Sequence, residues 1–187
     1  MNSQKTSNES NGKKAVSEKK KTPAALLLAV FVILVVLDQI TKYLAVSGLK
    51  GQNAIVLIPG VLELQYLENI GAAFSIMEGR QWFFYILTTV FLVFVCVILR
   101  RLPADAKYNA LRWCAIVLSA GAVGNFIDRL INKYVVDFIY FSLINFPIFN
   151  VADIYVTLSV AVLVILLFFY YKEEDLEMIW GGKKTEE

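Results

Sequence analysis

Long apolar runs separated by short polar intervals organise this chain. Four of them approach the roughly 20 residues that a helix needs to cross a bilayer: about Ala24–Val46, Trp82–Leu99, Leu111–Ile127 and Ile154–Tyr171. The second reads WFFYILTTVFLVFVCVIL and the fourth IYVTLSVAVLVILLFFYY. The third is the least hydrophobic and holds Ser119, Gly121, Gly124 and Asn125. Small residues let helices approach closely, which predicts a place for it at the centre of the bundle. Between the first two spans, Leu62, Leu64 and Tyr66 alternate with Glu63 and Gln65. They follow the apolar run Ile55–Ile58 and a Pro59-Gly60 turn, a pattern that predicts a short β-hairpin over about residues 54–68, lying on the membrane surface. The expected fold class is an all-α membrane protein of four transmembrane helices with a small extracytoplasmic β-hairpin or cradle.

Composition supports this pattern: 58% of residues are hydrophobic and 18% charged, too apolar for an ordinary soluble domain. The first span is longer than the apolar core of a cleaved signal peptide, and its polar residues lie inside it. Charge placement then orients the bundle. Lys5, Lys13, Lys14, Lys19, Lys20 and Lys21 precede the first span, and Arg100, Arg101 and Lys107 lie between the second and third. The other two connections hold only Lys50 and Arg80, and Arg129 and Lys133. Lys and Arg concentrate on the cytoplasmic side, so both termini are expected there. Residues 1–22 are expected to form a disordered basic head, 23–172 the four-helix domain and 173–187 an acidic tail, head and tail both solvated.

The chain contains no His, which removes the commonest general base and metal ligand. Cys96 and Cys114 sit in apolar runs without a Cys-x-x-Cys spacing, and both are expected to be small buried hydrophobes. No metal, cofactor or nucleic-acid partner is expected.

An ionisable residue inside a span costs at least about 2.5–3.5 kcal/mol, so each one calls for an explanation. With the expected topology, Asp38, Lys42, Asn125, Asp128, Arg129, Asp137, Asn150 and Asp153 gather at one depth near the outer face. Each has a structural reading as well. Asn150 could cap the fourth helix with Asp153 in its first turn. Asp38 and Lys42, four residues apart, could be an ion pair on one helix face, and Asp128 with Arg129 an interfacial anchor. Asp137, in the apolar run YVVDFIYF of the third connection, has no neighbouring cation in sequence. Two partly desolvated carboxylates close together would share a proton, one acting as base towards water. A Ser/Lys pair using Lys42 with Ser47 or Ser75, a proton or cation carrier, and a scaffold subunit are the alternatives.

Five motifs then carry a resemblance. Asp38-Gln39-Ile40-Thr41-Lys42, Asn69-Ile70-Gly71-Ala72-Ala73-Phe74, Gly124-Asn125-Phe126-Ile127-Asp128-Arg129, Val136-Asp137-Phe138 and Phe149-Asn150-Val151-Ala152-Asp153 occur in that order. Together they closely resemble the lipoprotein signal peptidases, the type II signal peptidases of bacteria. The resemblance implies an aspartic endopeptidase of the bacterial inner membrane that acts at its outer-leaflet side. It implies removal of signal peptides from prolipoproteins, just before the Cys that carries diacylglyceryl. By that resemblance Asp137 and Asp153 are the catalytic pair, and Asp38, Lys42, Asn69, Gly71, Asn125, Asp128, Arg129 and Asn150 bind substrate or support the site. It also implies contact with membrane lipids and inhibition by cyclic peptides of the globomycin type.

Overall fold

A computed structural model describes residues 21–71 and 81–181. Four helices are long and apolar enough to cross a membrane: α1 (Ala24–Leu49), α2 (Gln81–Arg101), α3 (Asn109–Asn132) and α4 (Val151–Phe169). A strand pair, β1 (Ile55–Ile58) and β2 (Leu62–Asn69), follows α1, and β3 (Val135–Phe141) links α3 to α4. The polytopic fold predicted by the apolar runs is the one found. Helix α3 packs against α1, α2 and α4, the central place that its small residues predict.

Large apolar side chains such as Val90, Leu158 and Phe168 point outward, as lipid-facing positions do when the solvent is hydrocarbon. Cys96 is among the exposed residues, contrary to expectation, whereas Cys114 is buried. An apolar run within a span does not say which positions face lipid and which face protein.

The sheet differs from the expected hairpin. It has three antiparallel strands in the order β1-β2-β3, and the third comes from the segment read as a loop. That segment, Val135–Phe141, is rich in β-branched and aromatic residues, which favour a pleated surface. Ala45 and Leu49 at the end of α1 pack against Val136 and Phe138, seating the sheet on the bundle.

A second correction concerns the chain beyond Glu173. Where a solvated tail is expected, Glu173–Trp180 form helix α5. Ile179 packs into a cluster with Leu102, Tyr108, Leu111 and Tyr171. Lys107 Nζ donates to both carboxylate oxygens of Asp175 at 2.6 Å, and Tyr108 donates its hydroxyl proton to the Asp175 carbonyl. The acidic residues dominate composition here, but every third or fourth position is apolar, and that stripe finds a partner. Residues 1–20 and 182–187, with most of the expected head and the end of the tail, lie outside the described residues.

Candidate active site

The start of α4 fixes one carboxylate. Asn150 is its N-cap: the side-chain Oδ1 accepts from the Asp153 backbone N–H at 3.1 Å, and Asp153 Oδ2 accepts from the Asn150 backbone N–H at 3.1 Å. This reciprocal capping box satisfies two orphan donors of the helix and locks the Asp153 rotamer. The remaining oxygen, Oδ1, accepts from Asn125 Nδ2 at 2.8 Å.

The second carboxylate comes from β3. In the β2–β3 register Asp137 lies opposite Leu67, and Asn69 opposite Val135. Asn69 and Asp137 are therefore diagonal neighbours on one face, within reach of each other. Asn69 Nδ2 donates to Asp137 Oδ2 at 2.8 Å, and Asn150 Nδ2 donates to Asp137 Oδ1 at 2.6 Å. Asn69 is oriented in turn by the Gly71 backbone N–H, which donates to its Oδ1. Asp137 is 1% exposed. Burial pushes its carboxyl up to about 6, the negative charge of Asp153 adds to the rise, and the Asn69 and Asn150 amides oppose it.

Among the described residues neither carboxylate is in an ion pair. Both line one cavity of about 630 Å³, with Asn69, Gly71, Arg129 and Thr157 as its other polar or small members and Phe146–Phe149, Ile154 and Leu158 among its apolar wall. Arg129 sits over the Phe84 ring at 4.6 Å and donates to the Asn125 carbonyl at 3.3 Å.

Beneath the cavity lies a second acidic layer. Asp38 and Asp128 are both buried, and Lys42 Nζ stands between them at 2.9 and 3.1 Å. Asp38 Oδ1 accepts from the Ala152 backbone N–H at 2.9 Å, and Asp128 Oδ2 accepts from the Val136 backbone N–H at 3.0 Å. Each supporting acid thus grips the residue immediately before Asp153 or Asp137. The Asp38 carboxyl therefore sits at the N-terminus of α4, where free N–H groups seek an acceptor.

The residues singled out from the sequence therefore converge, Gly71 included. The structure separates them into a layer on the cavity (Asp137, Asp153, Asn69, Gly71, Arg129) and a layer behind it (Asp38, Lys42, Asn125, Asp128, Asn150). The reading of Asn150 as a cap holds, and the same side chain also donates to Asp137. A Ser47/Lys42 pair finds no support: Ser47 is exposed and donates to the Leu44 carbonyl, while Lys42 is held by two carboxylates. Ser75, Arg80 and the Ala72-Ala73-Phe74 end of the second motif lie outside the described residues.

Residues 30–169 match the family described as Signal peptidase (SPase) II. The chain belongs to the signal peptidase II family. It is 41% identical over 150 residues to the lipoprotein signal peptidases of Streptococcus pyogenes serotypes M5 (strain Manfredo) and M18 (strain MGAS8232), covering 80% of this chain and 95% of each relative. Two solved structures described as bacterial membrane enzymes superpose with TM-scores of 0.71 and 0.68 at 35% and 32% identity, covering 82% and 90% of this chain and 99% and 98% of theirs. As a signal peptidase II the protein is a peptidase, a hydrolase of peptide bonds, and it is a multi-pass membrane protein.

In this signal peptidase II one residue of the buried layer escaped sequence reasoning. Gln39 Nε2 donates to Asp38 Oδ2 at 3.1 Å, to Asp128 Oδ1 at 3.1 Å and to the Gly124 carbonyl at 3.2 Å. The available signal was a polar side chain inside an apolar span, next to an acid that already needed an explanation. The wall from Phe146 to Phe149 also went unread, because its place depends on the bridge between Ile139 and Phe149.

Proposed function

We propose that this peptidase removes the signal peptide from diacylglyceryl-modified prolipoproteins, cutting just before the lipidated Cys, with Asp137 and Asp153 activating water. One observation carries this reading: a strand and a helix bring the two carboxylates onto one cavity, each held by amides and neither in an ion pair among the described residues. Such a pair holds one proton between two negative sites. The raised affinity of Asp137 for a proton makes it the acid of the resting pair, and Asp153 takes the proton of the attacking water. Asp137 donates towards the scissile carbonyl as the tetrahedral centre forms. As the carbon–nitrogen bond breaks, the proton taken by Asp153 goes to the leaving amine and the proton on the former carbonyl oxygen returns to Asp137. The pair acts as a unit, so its macroscopic titration belongs to both groups.

Arg129, Asn69 and Gly71 contact the substrate or hold its backbone from the cavity wall. The apolar part of that wall suits a substrate whose signal helix and acyl chains stay in the membrane. Lys and Arg placement supports cytoplasmic termini, which puts the cavity at the outer leaflet of a bacterial inner membrane, in contact with lipid. Globomycin-type cyclic peptides would compete for the cavity. The direct test offers purified protein the same prolipoprotein with and without its diacylglyceryl group. Release of the signal peptide from the lipidated form alone is expected. Equal cleavage of both forms would contradict the substrate reading.

A further inference from the structure

Behind the cavity, Lys42 has a role that a buried ion pair does not require. Its three ammonium donors meet three acceptors: Asp38 Oδ2 at 2.9 Å, Asp128 Oδ2 at 3.1 Å and Asn125 Oδ1 at 2.8 Å. The third acceptor reaches the proposed catalytic pair. An asparagine side chain has two faces of opposite character, and a fixed cation admits only the carbonyl. With Oδ1 turned to Lys42, Asn125 Nδ2 must point the other way, and there it donates to Asp153 at 2.8 Å. The same Oδ1 accepts from Asn150 Nδ2 at 3.1 Å, and that amide donates to Asp137 at 2.6 Å. Lys42 is only 3% exposed and does not line the cavity.

We propose that Lys42 is a positioning residue that, beside the capped Asn150, sets the direction of the Asn125 amide in an Asn150–Asn125 relay, and through it the hydrogen bond received by Asp153. Without the cation, Asn125 can rotate by half a turn and present its carbonyl to Asp153, replacing attraction by repulsion between acceptors. This inference rests on the Asp137–Asp153 reading and adds what holds that pair in its working state. The charged groups around Lys42 are Asp38 on its own helix, Asp128 and Arg129 on α3, Asp137 on β3 and Asp153 on α4. Its positive charge is one of the influences that favour ionised Asp137.

The test removes the cation without leaving two acids uncompensated. Lys42→Met alone strands Asp38 and Asp128 and can unfold the protein. The double variant Lys42→Met/Asp128→Asn removes one charge of each sign and keeps an oxygen for the Val136 N–H. In the folded double variant, kcat should fall roughly 10- to 100-fold, the range seen when a group behind a reacting centre is lost. KM should hold within about twofold, because Lys42 is remote from the wall. The alkaline limb of kcat/KM should move to higher pH, since Asp137 loses a favourable cation. A merely structural lysine would lower the melting temperature and leave KM, kcat per folded molecule and the pH limb in place, and that result would overturn the relay. A second measurement needs no Lys42 variant: the side-chain amide proton of Asn125 should change its NMR shift in Asp153→Asn. An unmoved resonance would overturn the proposal even if every Lys42 variant unfolds. Should Asp137→Asn and Asp153→Asn still cleave, the pair itself has been misassigned. Should they be inactive while the double variant is normal, only the relay is wrong.

Discussion

At the scale of single residues, the site is built from carboxylates whose surroundings differ. Asp38 and Asp128 face a buried ammonium, whereas Asp137 and Asp153 face amides and a cavity. The first arrangement is a buried ion-pair cluster, and the second leaves two carboxylates facing a cavity where a proton can move. A pH dependence follows from the Asp137 value of about 6. The singly protonated pair is lost as pH rises through that value, so kcat/KM should decline on the alkaline side near pH 6. The corresponding limb of kcat should lie higher, because an apolar substrate excludes more water from the cavity. In Asp153→Asn the neighbouring charge is gone, so Asp137 should titrate below about 6 yet above an ordinary carboxylate, burial being the larger cause. Carbon NMR of the labelled Asp137 carboxyl reads both states, and an unchanged midpoint would show that the two groups do not sense each other. Much of this chemistry was legible in the sequence: the acids stood out because each is expensive in an apolar span. Their division into two layers was not, because hydropathy reports depth and not partners.

At the scale of elements, close backbone approach decides which positions tolerate change. A Cβ added at Gly124 would collide with Asp38 Oδ2 and lie 3.0 Å from Asp38 Cγ, and one at Gly121 would lie 2.5 Å from the Ala152 carbonyl oxygen. Gly48 has nothing within 4 Å. Gly124→Ala should therefore displace Asp38, destabilise the protein by about 1–3 kcal/mol and slow cleavage, while Gly48→Ala leaves both unchanged. Thermal unfolding and initial rates of the two variants distinguish these outcomes. The small residues of the third span announced such packing, although nothing in sequence named Asp38 as the neighbour of Gly124. Strand β3 was missed for a related reason. Its run of Val, Phe, Ile and Tyr carried strand propensity, yet a strand needs a partner, and that partner is β2, more than 60 residues earlier by the Asn69–Asp137 separation of 68. Helix α5 is held by the Lys107–Asp175 pair at the start of α3, whereas Arg129 and Asp128 lie near the end of α3. About 20 intervening residues put roughly 30 Å between the two ends. Asp175→Asn should consequently cost about 1 kcal/mol of stability or less and leave the cleavage rate alone.

At the scale of the whole molecule, the bundle and the sheet are a scaffold for one end of α3 and α4. Spans, their approximate limits and their polytopic arrangement could be read from apolar run length, because the bilayer imposes that length on every helix. The convergence of polar residues could be read as well, since helix direction follows from span order. What could not be read was how α1 and α3 together bridge the two elements that carry Asp137 and Asp153. That bridge consists of two buried carboxylates on the N–H groups of Val136 and Ala152, with Lys42 between them. Residues 30–169, the stretch that matches the family, include every named residue of the site, and α5 stands beyond them. The most direct measurement is cleavage of a diacylglyceryl prolipoprotein by purified Asp137→Asn and Asp153→Asn, each shown to be folded by its melting curve. A loss of about 10⁴-fold in kcat for each, with no further loss in the double variant, is the result expected of two groups that act as one unit. Full cleavage by either folded variant would contradict the assignment of the pair.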